Sequence, residues 1–283
     1  MKIHALTTGA VRVKHSFLFP TPGVRRQLDL FLPGPFSDPV PIHCWAIEHA
    51  GVLRLVDTGE TAAARDVPFA RMEVTEEQEL PAAIADAGLD IADVSEVVLT
   101  HAHGDHIDGL VHVRGRVLIN DAELRVARSP MSRLMRGVLR QPLPPGFAPE
   151  PFVLDGGPFG AFPRSRTLSD DGRIVAVGTP GHTLGHVSVI CVEDSGRHVM
   201  LAGDLTDSLE QLHARRADAV GPDPEVHGAT LETVLAHCAR HPTVYLPSHD
   251  PGSAARLAAG AIVEVHRTSD REDTALRMPA GSR

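Results

Sequence analysis

His101-Ala102-His103-Gly104-Asp105-His106 decides the reading of this chain. Four of these six side chains can ligate a metal. They follow Val97-Val98-Leu99-Thr100, an apolar run that reads as a short buried strand, and precede Ile107-Asp108-Gly109-Leu110, where a helix could open. A strand-to-loop junction is where an α/β sheet presents side chains to a crevice. Imidazole and carboxylate together suit zinc, and also iron or manganese. The alternative, a polar or tag-like histidine tract, does not account for what the distant parts of the chain add.

Those parts repeat one pattern. Ile174-Val175-Ala176-Val177 leads into Gly178-Thr179-Pro180-Gly181-His182-Thr183-Leu184-Gly185-His186. Val199-Met200 leads into Leu201-Ala202-Gly203-Asp204, and Val244-Tyr245-Leu246-Pro247 into Ser248-His249-Asp250. Each candidate ligand stands just past the carboxyl end of an apolar run, so several strand ends can deliver His and Asp to one rigid crevice.

Taken together, His-x-His-x-Asp-His followed by His, Asp and His resembles the metallo-β-lactamase superfamily, over residues 57 to 249. The resemblance implies a four-layer αββα fold of the α/β (α+β) class. It implies one metal on His101, His103 and His182, a second on Asp105, His106 and His249, and Asp204 bridging both with a water or hydroxide. Two divalent cations are expected, zinc first, with iron, manganese or cobalt as alternatives. Asp57, in Val56-Asp57-Thr58-Gly59, matches the early Asp-Thr-Gly turn, where the acid holds the histidine loop.

An Asp at 204 resembles the lactonase, glyoxalase II and phosphodiesterase branches rather than the lactamases. The Cys44-Trp45 pair, the acidic helix before the histidine motif, the segment Thr179 to Ser188 and the Ser248-His249-Asp250 ending are most similar to the N-acyl-homoserine lactonases. Those enzymes usually carry a Tyr three residues after the bridging Asp; here that position is Asp207. The implied reaction is attack of a metal-bridging hydroxide on a lactone or ester with an apolar acyl substituent, with Asp105 and Asp204 as catalytic groups. A phosphodiesterase, a glyoxalase II-like thioesterase and a non-catalytic metal-binding sensor are the alternatives.

Composition bounds the partners. The chain has 283 residues, 42% hydrophobic and 22% charged, and a net charge of −9. This is an ordinary globular balance. It speaks against binding dominated by nucleic-acid phosphates, so a small-molecule substrate and no nucleic acid are expected. The three cysteines, Cys44, Cys191 and Cys238, are widely spaced and form no disulfide or metal motif. Residues 1–19 lack a continuous apolar segment, and no run approaches the ~20 residues that span a bilayer. A cytoplasmic protein with no membrane partner is expected; related lactonases are often dimers, so a homodimer is one expectation.

Apolar runs predict strands at Val11–Val13, Ile42–Ile47, Val52–Val56, Val97–Leu99, Val117–Ile119, Ile174–Val177, Val187–Val192, Val199–Leu201 and Val244–Leu246. Helical spacing appears near 76–88, 121–128, 129–140, 229–240 and 253–265. One domain is expected over 1–268, with a frayed tail over 269–283. Phe17 to Pro41 and the stretch 141–165, which holds seven prolines and four glycines, read as irregular; the latter reads as a site wall.

Several residues carry two readings. His186 either touches the ligand shell from outside or is a hydrogen-bonded structural histidine. Met135, with Met131, Leu134, Val138 and Leu139, forms either an apolar lid or an ordinary packed helix face. Phe17, Leu18 and Phe19 form either a pocket wall or core. His213 and His227 are expected at the surface, and Tyr245, the single tyrosine, in the core.

Overall fold

The computed structural model describes residues 1–265; the expected tail at 269–283 lies outside them. The first half contains β1 (Lys2–Val13), α1 (His15–Leu18), α2 (Arg25–Leu28), β2 (Val40–His49), β3 (Val52–Val56), β4 (Ala70–Glu73), α3 (Leu80–Asp86), β5 (Val94–Leu99), α4 (Gly104–Ile107), β6 (Arg116–Asn120), α5 (Asp121–Arg128), α6 (Pro130–Leu139) and β7 (Glu150–Phe152). The second half contains β8 (Ser165–Thr167), β9 (Ile174–Gly178), β10 (Val187–Val192), β11 (His198–Gly203), α7 (Leu209–His213), α8 (Pro224–Cys238), β12 (Thr243–Pro247) and α9 (Ser253–Ala259).

The strands form two sheets, ordered β4-β1-β2-β3-β5-β6-β7 and β12-β11-β10-β9-β8. Strand periodicity then builds the layers. Trp45, Ile47, Val56 and Val98 of the first sheet meet Ala176, Val189, Leu201 and Leu246 of the second in one buried cluster. Their neighbours in sequence point the other way. Cys44, Ala46, Leu55, Val97 and Leu99 pack under Leu80 and Ile84 of α3. Val175, Ile190, Met200 and Tyr245 pack under Leu231, Val234 and Leu235 of α8. Strands covered on both faces must be apolar at every position, which is why they read as unbroken runs. The architecture is the expected αββα sandwich.

The element boundaries differ from expectation where local chemistry intervenes. The helix expected over 76–88 is a 3-10 turn, Glu76–Gln78, then α3, because Glu79 is extended and Pro81 opens a new first turn. The helix expected over 253–265 stops at Ala259, where Gly260 takes φ 60° and caps it. The helix near 229–240 begins earlier, at Pro224, capped by the Asp223 carboxylate on the amides of Glu225 and Val226.

Two segments expected to be irregular contribute to the fold. Within 141–165, Glu150–Phe152 pairs in parallel with β6. Only Gln141 of this stretch lines the cleft described below, so it is not a site wall. From the stretch 17–41, Phe17 and Leu30 enter a buried cluster with Val11, Val13 and Ile42. Among the described residues no helix is long and apolar enough to cross a membrane.

Candidate metal centre

All the candidate ligands leave strand ends at one edge of the sandwich. Asp57 follows β3, residues 101–106 follow β5, His182 lies between β9 and β10, and Asp204 and His249 follow β11 and β12. The parallel pairs β3·β5 and β11·β12 aim their carboxyl ends the same way, which brings the two sheets' loops together. Helix α4 opens at Gly104, earlier than the sequence suggests, and its single turn turns His106 inward.

Two groups of donor atoms result. His101, His103 and His182 form one; Asp105, His106, Asp204 and His249 form the other, the atoms of each lying within 4.8 Å of one another. Asp204 faces both. Its Oδ1 lies 2.9 Å from His106 Nε2 and 3.3 Å from His249 Nε2. Its Oδ2 lies 3.5 Å from His182 Nε2 and 3.8 Å from His101 Nε2. Asp105 Oδ2 reaches to 3.3 Å from His249 Nε2. The seven predicted ligands are thus brought together.

The far side of each ring explains its orientation. His106 Nδ1–H donates to Asp57 Oδ2 at 2.8 Å. Asp57 also accepts from the amide and the hydroxyl of Thr100, both at 2.7 Å. It does so from the left-handed region, φ 62°, uncommon for a non-glycine residue and a form of strain that gathers at functional sites. His182 Nδ1–H donates to Asp218 Oδ2 at 2.7 Å, and His249 Nδ1–H to the Pro41 carbonyl at 2.9 Å. With each Nδ1 committed, each Nε2 lone pair points inward. His103 is the exception: its Nδ1 faces His101 and His182, at 3.0 and 2.9 Å.

This donor set fits divalent cations. His106 Nε2 and Asp204 Oδ1 are buried and lack any hydrogen-bond partner, although they lie 2.9 Å apart. Two acceptors cannot sit at that distance without a positive charge between them, either a proton or a metal. The electrostatics agree. Burial would depress His106 and His249, yet the surrounding carboxylates, Asp204 first, hold both well above the usual imidazole range. Burial would likewise lower His182, but Asp218 and Asp204 raise it to about 9. His103 is pushed down to about 3 by burial and by the neighbouring His182, so it presents a free lone pair. Imidazole with carboxylate suits zinc and its neighbours.

The remaining predicted residues divide. His186 is buried, bound through Nδ1 to the Thr179 hydroxyl at 2.9 Å, and accepts the Asp204 amide through Nε2 at 3.2 Å. It touches the ligand shell from outside. Gly203 permits this approach: at φ 59°, a Cβ there would stand 2.7 Å from His186 Nε2. Asp207 lines the cleft, and burial pushes its carboxyl up to about 7. Met135 also lines it, together with Leu139, while no residue of α6 is fully buried. The helix combines both readings: Met135 and Leu139 face the cleft, Leu139 also packs on the cluster that holds Val11 and Ile42, and Met131, Leu134 and Val138 stay outside the cleft.

Phe19 is misplaced by the sequence reading. It is 59% exposed, beneath the Arg216 guanidinium, while Phe17 lines the cleft and stacks on Phe69. Helix α1 is a single turn, and two residues rotate a side chain by ~200°. His227 corrects another expectation: it is buried, and its Nε2–H donates to the Leu205 carbonyl at 2.7 Å. His213 is half-buried. Tyr245 is core as expected, its hydroxyl 2.9 Å from that of Thr206.

Three residues were missed. Asp218 orients His182. Glu123 accepts from the Ala102 amide at 3.0 Å and from the Thr183 hydroxyl at 2.6 Å, clamping the two histidine-bearing loops together. Arg26 donates to the carbonyls of Asp218 and Gly221, fixing the Asp218 loop. Nothing in the sequence marks Asp218 or Arg26. Glu123 reads simply as an acid in a helix's first turn.

The centre floors a cleft of about 180 Å³. Val13, Phe17, Phe69, Met72, Met135 and Leu139 form its apolar wall. Drug-sized sites are roughly 300–1,000 Å³, so this one suits a small ligand with a short apolar part.

Residues 37–249 match the model of the metallo-beta-lactamase superfamily. No curated protein matches the chain. Solved structures do. An N-acyl homoserine lactone hydrolase with N-hexanoyl-L-homoserine at its catalytic metal center aligns with TM-score 0.68 and 18% identity, over 88% of this chain and 93% of that one. A probable metal-dependent hydrolase from Staphylococcus aureus aligns with TM-score 0.68 and 17% identity, over 88% and 89%. AidC, a dizinc quorum-quenching lactonase, aligns with TM-score 0.60 and 18% identity, over 89% and 90%. At these identities the likeness establishes the fold.

Proposed function

The chain belongs to the metallo-β-lactamase superfamily and is a metal-dependent hydrolase, and we propose that its reaction is the opening of a small lactone or ester bearing an apolar substituent. One observation carries this reading: the donor cluster opens onto a cleft whose walls are apolar, so a reactive carbonyl can lie over the centre while its substituent is buried. Burying such a tail is worth about 0.8 kcal/mol per CH₂.

In this reading His101, His103 and His182 would hold one divalent cation, and Asp105, His106 and His249 a second. Asp204, whose two oxygens face the two donor groups, would serve both. Zinc is the proposed metal. Bound there, such ions lower the pKa of water and polarise a scissile carbonyl. The chain's own groups do the rest. Asp57, Asp218 and the Pro41 carbonyl keep the imidazoles aimed inward. Asp105, at the cleft, would take a proton from the attacking water and pass it to the leaving oxygen. Asp207 stands where lactonases of this superfamily usually carry a tyrosine; its carboxyl, when protonated, donates a hydrogen bond to the substrate oxygen in that hydroxyl's stead.

The apolar wall favours this reading over phosphodiester cleavage. Arg136 is the single cationic side chain, histidines aside, among the cleft's lining residues. The test is a panel of acyl lactones, aryl esters, thioesters and bis(p-nitrophenyl) phosphate, offered to protein of measured metal content. Lactone or ester turnover is expected to dominate and to rise with short acyl length. Faster phosphodiester or thioester cleavage would overturn the proposal.

A further inference from the structure

Residues 124–149 contain Arg125, Arg128, Arg133, Arg136 and Arg140 and no acidic residue, in a chain whose net charge is −9. Among the described residues, Arg128, Arg133 and Arg140 have no carboxylate partner within ion-pair distance, and all three are exposed. The helix in this stretch, α6, also displays apolar side chains. Met131, Leu134 and Val138 are 67%, 61% and 65% exposed. Their spacing of three and four places them on one face, with Arg133 and Arg140 on the polar arc and Arg128 just before the helix. The adjoining face, Ser132, Met135, Arg136 and Leu139, lines the cleft. Phe31, half exposed, packs edge-on against Phe69 at 6.1 Å, and Phe69 lines the same cleft.

We propose that the outer face of α6 docks on an anionic phospholipid bilayer. A ten-residue helix is ~15 Å long, too short to span ~30 Å of hydrocarbon. A basic amphipathic helix instead lies in the interface plane, its apolar face ~5–10 Å deep and its arginines among the headgroups. A second copy of this chain fits worse. A two-fold contact sets this basic patch on its own copy, gathering like charge with no acidic residue of 124–149 to offset it. The docking departs from the expectation of no membrane partner, which considered only spanning segments. It stands without the proposed hydrolysis, but would place the cleft where amphiphilic substrates concentrate.

The test is flotation with vesicles of phosphatidylcholine containing one-third phosphatidylglycerol, against pure phosphatidylcholine. The full chain is expected to float with the anionic vesicles at low salt, to be released by added salt, and to ignore the neutral ones. Arg133→Gln should weaken binding about fivefold. Leu134→Ser combined with Val138→Ser should abolish it, with the melting temperature and turnover of a soluble short-chain ester unchanged. Absence of binding to anionic vesicles at low salt, or binding indifferent to these substitutions, overturns the proposal. So does a concentration-dependent dimer in light scattering that the serine variant disperses, which would assign the face to a second copy. Because ester turnover is read separately, loss of the hydrolytic reading leaves this outcome intact.

Discussion

Asp204 is the residue on which the centre turns, because each of its oxygens faces a different donor group. Asp204→Ala is expected to bring metal content below two equivalents per chain and to cost more activity than loss of any residue outside the ligand ring; plasma emission analysis and kcat/KM check this. Asp218→Ala supplies the scale. Freed of that carboxylate, His182 loses its fixed orientation, and metal affinity or activity should fall ~10–100-fold. Asp207 yields a pH signature. Its carboxyl is pushed up to about 7, so the protonated donor predominates below that value and is lost as pH rises through it. Turnover should decline across that window, and Asp207→Asn, which keeps an uncharged donor, should flatten the decline. A wild-type profile identical to that of Asp207→Asn would remove Asp207 from the proposed role. The ligands were legible in the sequence because each is a His or Asp tied to a strand end by a short local motif. Asp218 was not, since its meaning is set by His182, 36 residues away in the chain and only 2.7 Å away in space.

At the scale of elements, the strands buried on both faces announced themselves and the solvent-facing ones did not. β9, β10, β11 and β12 are buried along almost their whole length, β12 at a sheet edge included, and are largely apolar. β4, β7 and β8 sit at or near sheet edges, where Arg71, Glu150 and Arg166 face solvent and erase the pattern. Long-range contacts also escaped. The end of α8 meets the start of β11 through three histidines: His198 Nδ1 lies 2.9 Å from His237 Nε2, and His241 stacks on His198 at 4.7 Å. Burial pushes His198 down to about 4 and His237 to about 3, aided by neighbouring imidazoles. The fold therefore favours their neutral forms. An unfolded histidine titrates near 6.5, so this contribution is complete above 6.5 and is lost as pH falls from there toward 4. Melting temperature should drop over that range, and His237→Phe, which keeps a ring against Phe162, should make the drop shallower. Parallel curves for the two proteins would show that the stack does not couple folding to pH.

For the whole molecule, the donors come from both sheets, so metal binding and folding are linked. His101, His103, Asp105 and His106 hang from the first sheet, and His182, Asp204 and His249 from the second. Without a cation, His106, His182 and His249 must take up protons to face the buried carboxylates across the seam between the layers, and the partnerless His106 Nε2 and Asp204 Oδ1 mark where the positive charge belongs. A ligand that binds only the folded state stabilises it by about 2.7 kcal/mol at a hundredfold excess over Kd. For a domain of this size, 1 kcal/mol moves Tm by roughly 2–4 °C. Exhaustive chelation should therefore lower the melting temperature by about 5–10 °C. Zinc should restore it and magnesium should not, since magnesium prefers oxygen ligands in an octahedron and this site offers five imidazoles. The loss should be far smaller in Asp204→Ala, which forfeits the bridge beforehand. Equal melting temperatures with and without metal would mean that the two sheets are held in register by their shared apolar core alone, with the histidine-bearing loops finding their places independently of any ion.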